Sequence, residues 1–217
     1  MSGLLIDKIN SSIEGESKKY DLVNIDYFSD ETLNENKIDK LAVNLKKILS
    51  KNSTVWITTL NFDNKKSYIP FILQNIFANN NFFIKNLIVW VTNTGRSNTN
   101  FNNYYKKIIF FSLNDKEYIF NKDLIREKHI WKNVEWGKRK FRYNPKGKDP
   151  SNFWLPTEDD GKAKITKHLI LSHEEKNDRI FNLCSNYKSK SLLISNKEYH
   201  HKNLTKQIII GIQVENQ

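Results

Sequence analysis

The chain has 217 residues, and its 35 lysines and arginines outnumber its 24 aspartates and glutamates, which gives a formal net charge of +11. With 38% hydrophobic residues, including 13 Phe, 9 Tyr and 5 Trp, it has enough apolar bulk to close a core, which excludes wholesale disorder. A single cysteine, Cys184, excludes an internal disulfide framework and a cysteine-based zinc site. We expect one domain that spans residues 1–217.

The apolar segments do not point to a membrane. The longest runs, at residues 87–91, 108–111 and 208–212, are far shorter than the roughly 20 residues that cross a bilayer. The amino-terminal segment has neither the basic stretch nor the small-residue cleavage site of an export signal. We therefore expect a soluble, cytoplasmic protein without a membrane partner. No metal site is expected either, because the adjacent His200 and His201 point in different directions.

Hydrophobic patterning alternates between strand and helix along most of the chain. Short β-branched and aromatic runs predict strands at residues 20–27, 53–59, 86–92, 107–113, 191–195 and 207–214. Apolar residues at helical spacing predict helices at residues 34–50, 69–78 and 174–184. This alternation is typical of an α/β sheet with helices on its faces. Residues 128–167 break the alternation and hold three of the four prolines, so we interpret them as an irregular, functional insertion.

The insertion begins with the most basic part of the sequence. Residues 128–148 contain eight lysines and arginines but one acid, Glu135, and aromatic residues are interspersed among them. Cations that neutralise phosphates and flat rings that stack on bases are together typical of nucleic-acid binding, whereas lysines alone would indicate a solvated loop. The predicted contacts to nucleic acid are Lys132, Lys138, Arg139, Lys140, Arg142, Lys146, Lys148 and Trp154.

The insertion also carries a resemblance to a known family. Residues 143–154 read YNPKGKDPSNFW, which resembles a stretch of the bacterial DNA amino-methyltransferases of the permuted β class, the N4-cytosine and N6-adenine enzymes whose catalytic motif precedes the cofactor motif. The resemblance continues in order, with DLVNIDYF at residues 21–28, SHEEK at 172–176 and KQIIIGIQ at 206–213. It implies a Rossmann-like methyltransferase fold with a mixed, mostly parallel central sheet. It also implies that residues 128–167 are a target-recognition-like insertion that contacts DNA.

The catalytic motif of that family is altered in this chain. Asp26 stands at the position of the catalytic acid, but Tyr27 and Phe28 replace the two prolines of Asp-Pro-Pro-Tyr and Ser29 replaces its aromatic residue. In the family, the acid and a proline-fixed carbonyl hold the target amino group while the aromatic residue stacks on the flipped base. We therefore interpret Asp26 as a relic of the catalytic position and favour an ordinary strand-end or helix-capping role. No catalytic residue is predicted.

The cofactor motif differs from that of the family even more than the catalytic motif does. The family's site for S-adenosylmethionine needs a strand that ends in an acid and a glycine-rich turn that lets the backbone approach the cofactor. Here KSLLIS at residues 190–195 runs into NKEYHHKN, and no glycine occurs between Gly161 and Gly211. Gln213 stands where the family usually offers an acid to the ribose. We predict that this chain binds no S-adenosylmethionine.

An inherited scaffold with altered chemistry favours one function and leaves two alternatives. The favoured function is a non-catalytic, DNA-binding subunit of a heteromeric DNA adenine or cytosine amino-methyltransferase. Its catalytic partner subunit would bind S-adenosylmethionine, in a heterodimer or a larger assembly. The first alternative is a diverged but active methyltransferase of a restriction–modification system that uses Asp26 with Tyr27 or Phe28. The second is a nucleic-acid-binding module of a defence system without methylation.

Overall fold

A single sheet with helices on both faces organises the part of the chain that the structure describes. The computed structural model describes residues 3–28, 34–59, 69–91, 105–127, 144–154 and 171–210, of which residues 3–5 and 27–28 are described by their backbone alone. The strands are β1 (Tyr20–Phe28), β2 (Leu49–Thr59), β3 (Phe83–Val91), β4 (Tyr105–Ser112), β5 (Phe153–Trp154), β6 (Ser191–Ser195) and β7 (Lys206–Ile209). The helices are α1 (Gly3–Glu14), α2 (Glu35–Ile48), α3 (Ile69–Asn79) and α4 (His173–Cys184), and a 3-10 turn lies at Lys122–Ile125. None of these described helices is long and apolar enough to cross a membrane.

The seven strands are arranged in the order β5-β3-β4-β2-β1-β6-β7. Strand β4 is antiparallel to both of its neighbours, β2 and β3, whereas all other neighbouring pairs are parallel. The predicted mixed, mostly parallel sheet is therefore confirmed. Because the other six strands run in one direction, their carboxyl ends meet at one edge of the sheet, which we call the carboxyl edge.

Side chains from alternate strand positions form two apolar layers, as the period of a β-strand requires. On one face, Val23 and Ile25 pack in a core with residues of α1, α2 and α3. On the other face, Leu22 packs with residues of α4 and with the tryptophans of β2, β3 and β5. Asn24 and Asp26 have the same parity as Leu22 and are also buried. Strand β1 therefore places two polar side chains beneath a single helix.

The predicted elements agree with the structure and differ from it mainly at their ends. Asn34 does not begin α2 but caps it, since its side chain accepts a hydrogen bond from the backbone of Lys37 at 3.3 Å. Strand β2 begins at Leu49, four residues before the predicted start. Strands β3 and β4 also begin earlier than predicted, and β7 is described from Lys206 to Ile209. Residues 211–214 of the predicted last strand lie outside the described residues.

Two elements have no counterpart among the predictions. Helix α1 buries Ile6, Ile9 and Ile13, whose helical spacing is the signal that would have revealed it. Strand β5 lies within the predicted irregular insertion and pairs with β3, so that Trp154 lies opposite Trp90. The prediction that Trp154 contacts nucleic acid must be corrected, because its side chain is 2% exposed and stacks on Trp56 in the core.

Candidate functional site

The end of strand β1 holds the carboxylate that the sequence singled out. Strand β1 lies between β2 and β6, and Asp26 follows Ile25, which pairs with Ile57 on one side and with Ile194 on the other. The Asp26 side chain has no solvent exposure and faces α4. A carboxylate in this position needs internal hydrogen-bond donors, because burial without them is costly.

Helix α4 supplies those donors because of where it begins. Ser172 caps the helix in a capping box: its hydroxyl accepts from the Glu175 amide at 3.1 Å, and the Glu175 carboxylate accepts from the Ser172 amide at 2.8 Å. Once the start is fixed, His173, Lys176 and Asn177 share a helix face, since positions three and four apart are neighbours. All three side chains reach Asp26.

The contacts around Asp26 form a buried, charged cluster. The Lys176 ammonium donates to Oδ1 of Asp26 at 2.6 Å and to Oγ1 of Thr58 at 3.3 Å. The other oxygen, Oδ2, is contacted by His173 and accepts from the Asn177 amide at 3.4 Å. Asn177 in turn accepts from Asn24 at 2.9 Å. Both oxygens of the carboxylate are therefore engaged by the protein itself.

Electrostatics keep the Asp26 carboxylate ionised. Burial alone would raise the pKa of Asp26, but the Lys176 ammonium and the hydrogen bonds from His173 and Lys176 outweigh burial and lower that pKa to about 2. Burial lowers the pKa of Lys176, and the charge of Asp26 partly offsets the effect. A carboxylate with such a low pKa is a poor proton acceptor, so the geometry fits an ion pair that fixes α4 on the sheet.

Trp90 and Lys106 also lie at the carboxyl edge, near Lys176 and Asp26. The Trp90 ring lies 5.2 Å from the Lys176 ammonium and 5.1 Å from the Lys106 ammonium, and its Nε1 donates to the Leu171 carbonyl at 2.9 Å. Burial lowers the pKa of Lys106 to about 8. No local sequence pattern indicates this grouping, because Trp90, Lys106 and Lys176 come from three separate elements.

The connection between β6 and β7 passes over the same face of the sheet as α4. These parallel strands are joined by residues 196–205, a ten-residue segment that is described throughout and contains no helix. The Tyr199 and His201 rings stack on Phe181 of α4, with centroids 5.8 and 5.1 Å away, and the Tyr199 hydroxyl donates to Asp178 at 2.6 Å. The Gln207 amide fastens the start of the connection, because it donates to the Lys197 carbonyl at 2.6 Å. The side chains of this connection therefore pack against α4.

The two ends of the basic part of the insertion, residues 128–148, meet at a structure that we call the foot, which consists of residues 126–127 and 147–149 together with Asp123. Glu127 and Lys148 form an antiparallel bridge, in which the Glu127 amide donates to Lys148 at 3.2 Å and the Lys148 amide donates to Glu127 at 2.8 Å. Gly147 has φ +109°, and a Cβ there would lie 2.6 Å from the Glu127 carbonyl oxygen. Arg126 reinforces the foot through ion pairs of 2.6 Å to Asp123 and to Asp149. The described residues on the two sides of this segment, Glu127 and Lys148, are therefore held together.

The predicted nucleic-acid contacts divide into three groups. Lys146 and Lys148 are exposed at the foot, where they pair with Asp123 at 2.6 Å and with Glu127 at 3.7 Å. Exposed pairs of this kind contribute little free energy, so both lysines can exchange their partners for phosphates. Trp154 is in the core, with the Arg179 guanidinium 5.8 Å from its ring. The others, which stay predictions, lie outside the described residues: Lys132, Lys138, Arg139, Lys140 and Arg142.

Helix α4 connects the two parts of the site. Its first turns contact Asp26, and one turn further on Arg179 approaches the Glu127 carboxylate at 4.0 Å. A single rigid element therefore joins the buried ion pair to the foot of the insertion.

Comparisons with known proteins identify the family and the fold of the chain. A model of the DNA methylase family, which covers N6 and N4 methylases, matches residues 17–208. No curated protein sequence is similar enough to the chain to count as a match.

Solved structures share the fold at low sequence identity. The M1.HpyAVI complex with S-adenosylmethionine aligns with 87% of this chain and 77% of its own, at a TM-score of 0.51 and 14% identity. The PvuII cytosine-N4-specific DNA methyltransferase aligns with 85% of this chain and 70% of its own, at a TM-score of 0.52 and 11% identity. TTHA0409 of Thermus thermophilus, a proposed DNA modification methylase, aligns with 85% of this chain and 75% of its own, at a TM-score of 0.52 and 12% identity. The predicted methyltransferase fold is confirmed.

Proposed function

The chain belongs to the DNA methylase family, and on this premise we propose that it is a non-catalytic, DNA-binding subunit of a heteromeric DNA amino-methyltransferase. Membership of the family makes it a methyltransferase-like DNA modification protein with DNA as the implied substrate. The proposal adds a division of labour. A catalytic partner subunit binds S-adenosylmethionine and transfers the methyl group, while this chain contacts DNA and stabilises the partner.

The connection between β6 and β7 is the observation that carries the proposal. Parallel strands are usually joined by a dozen or more residues that include a helix. In nucleotide-binding folds, a glycine-rich turn and the start of that helix hold the cofactor. Residues 196–205 contain neither a helix nor a glycine, and Tyr199 and His201 pack against α4 instead. We infer that these residues do not fit S-adenosylmethionine.

The state of Asp26 supports the same division of labour. To hold a target amino group, a carboxylate must be accessible to the substrate. Both oxygens of Asp26 are contacted by α4 side chains, and the side chain has no solvent exposure. Asp26 therefore stabilises the fold and does not touch a substrate.

A charge-neutral double substitution tests this assignment in the assembled complex. Asp26→Asn combined with Lys176→Met removes both buried charges together, so neither charge is left unpaired. We expect the complex purified from its native host with this variant to methylate DNA as fast as the wild-type complex. A 100-fold or larger loss of methylation, with assembly and DNA binding intact, would show that Asp26 is catalytic.

The position of Asp26 supports one alternative function. Asp26 lies two residues before the end of the central strand β1, at the carboxyl edge, which is where the resemblance places the catalytic acid. This observation favours a diverged but active methyltransferase. In that case the isolated chain would methylate DNA in the presence of S-adenosylmethionine, and Asp26→Asn would abolish the reaction.

A further inference from the structure

An open groove lies at the end of α4 that points away from Asp26. It has a volume of about 690 Å³, and its walls are residues 120–124, the last turn of α4 with residues 185–187, and residues 202–203 of the β6–β7 connection. Lys176 and the lining residue Asn182 are six positions apart on α4, or roughly 9 Å at the rise of an α-helix. The groove is therefore separate from the carboxyl edge.

The groove exposes apolar side chains that a folded chain normally buries. Tyr187 is 85% exposed, Leu124 is 64% exposed and Phe120 is 44% exposed. The Lys188 ammonium lies 5.4 Å from the centre of the Tyr187 ring. An exposed ring beside a lysine is the arrangement that proteins use to stack a base and hold its phosphate.

Side-chain amides line the groove between these rings. Asn121, Asn182 and Asn203 all contribute to its walls. Within the described part of the chain, none of their side-chain amides has a hydrogen-bond partner. An amide offers both a donor and an acceptor, which is what the edge of an unpaired base needs.

The charge around the groove favours an anion. Lys122 and Lys202 lie in its walls, and Asp123 is the one acid among the described lining residues. Hydrogen bonds from Lys146 and Arg126 lower the pKa of Asp123 to about 2, and these two cations offset its charge. Because Asp123 also belongs to the foot, the groove lies beside the described ends of the basic segment.

We propose that this groove binds one unpaired nucleotide of a nucleic-acid strand. The base stacks on Tyr187 and pairs with the asparagine amides, while its phosphates are held by Lys188, Lys202 and Lys122. The inference rests on the proposed DNA-binding function and adds a second contact beside the basic insertion. An acidic protein segment could also pair with the lysines, but the exposed Tyr187 ring beside Lys188 favours a nucleotide.

Fluorescence anisotropy with short oligonucleotides tests the inference on the full chain. The probes are a single-stranded DNA five-mer, an RNA five-mer of the same sequence and a blunt DNA duplex. We expect Tyr187→Ala to weaken single-strand binding by about 5- to 150-fold, since stacking of one base contributes about 1–3 kcal/mol. Lys202→Ala should weaken it less and reduce its salt dependence. Phe71→Ala and Lys46→Ala, exposed residues on the opposite face of the sheet, are the matched controls.

The outcomes separate this inference from the proposed function. If Tyr187→Ala and Lys202→Ala bind the single strand as tightly as the controls while the duplex is bound, the groove inference fails and the proposed function stands. If the wild-type chain binds neither duplex nor single strand, both fail. If Tyr187→Ala impairs only assembly with the partner subunit, the groove is a protein interface and the inference is overturned. The DNA and RNA probes identify which strand the groove prefers.

Discussion

At the scale of single residues, the Asp26–Lys176 ion pair decides how the carboxyl edge is interpreted. A buried pair of this kind is not a strong source of stability by itself, but losing one member leaves an uncompensated charge in the core. Strand β1 and helix α4 are 150 positions apart at this contact, so the pair fastens the helix to the sheet.

We expect Asp26→Ala to lower the free energy of unfolding by about 3–5 kcal/mol, because Lys176 would be left buried without its counter-charge. The double variant Asp26→Asn with Lys176→Met should recover most of that loss. Urea unfolding followed by circular dichroism measures both. Equal losses in the single and double variants would show that the pairing of the charges is not what matters.

The same residue predicts how stability responds to acid. Its pKa in the folded chain is lowered to about 2 from the usual 3.8, so its contribution to stability is fully present above pH 4. That contribution is lost as the pH falls from about 4 to about 2, where the unfolded chain binds a proton that the folded chain does not. Urea unfolding across this range should show wild type losing stability relative to the double variant. A pH-independent difference between the two would contradict the lowered pKa.

Trp154 shows what a sequence conceals at this scale. Its neighbours, Pro150 and Pro156, suggest a loop, and its place in the stretch that resembles the DNA amino-methyltransferases suggests contact with DNA. What buries it is a parallel pairing with Trp90, 64 positions earlier, and stacking on Trp56. Such a long-range contact leaves no local periodicity in the sequence. The pairing of Asp26 with Lys176 could not be predicted from local patterns for the same reason.

At the scale of elements, the period of the apolar residues predicts the helices and strands that bury one face. Helices α2 and α4 were predictable because one face of each is buried and because Asn34 and Ser172 cap them. Helix α1 has the same type of signal, in Ile6, Ile9 and Ile13, over as many residues as α4, so the sequence could have predicted it as well. The direction of β4 and the missing helix after β6 depend on tertiary structure and could not be derived from local patterns.

The β6–β7 connection should depend on its packing against α4. We expect Tyr199→Ala to lower the free energy of unfolding by about 3 kcal/mol, because it removes a nearly buried ring that stacks on Phe181. Tyr199→Phe keeps the ring, loses the hydrogen bond to Asp178, and should cost about 1 kcal/mol. Denaturant unfolding gives both values. If the alanine variant is no less stable than the phenylalanine variant, the connection is not held by this ring.

The foot of the insertion makes a prediction about DNA binding. Gly147→Ala would force a Cβ against the Glu127 carbonyl and disturb the Glu127–Lys148 bridge, so duplex affinity should fall. Gly15→Ala is the matched control, since a Cβ at Gly15 meets nothing within 4 Å. Anisotropy titrations at one salt concentration compare the two. Unchanged affinity in Gly147→Ala would mean that the foot does not orient the basic segment.

At the scale of the whole molecule, the distribution of charge separates a binding function from a generally basic surface. Each phosphate contact releases counterions, so the logarithm of affinity falls with the logarithm of salt by about 0.9 per contact. Replacing four residues of the insertion by alanine should therefore reduce the slope by up to about 3.6. These residues are Lys138, Arg139, Lys140 and Arg142.

A control with the same change in net charge makes this test specific. It replaces four exposed lysines on and beside α2, which lies on the face of the sheet opposite α4: Lys18, Lys40, Lys46 and Lys51. The control variant should keep the wild-type slope. If both variants flatten it equally, attraction to DNA comes from net charge and the insertion has no special role.

The central claim is that this chain keeps the methyltransferase fold but does not bind the methyl donor. Isothermal titration of S-adenosylmethionine into the purified full-length chain tests it most directly. We predict no binding heat at concentrations up to the millimolar range, with the chain shown to be folded by its duplex binding in the same buffer. Saturable binding with a micromolar Kd, together with methyl transfer to DNA by the chain alone, would contradict the claim.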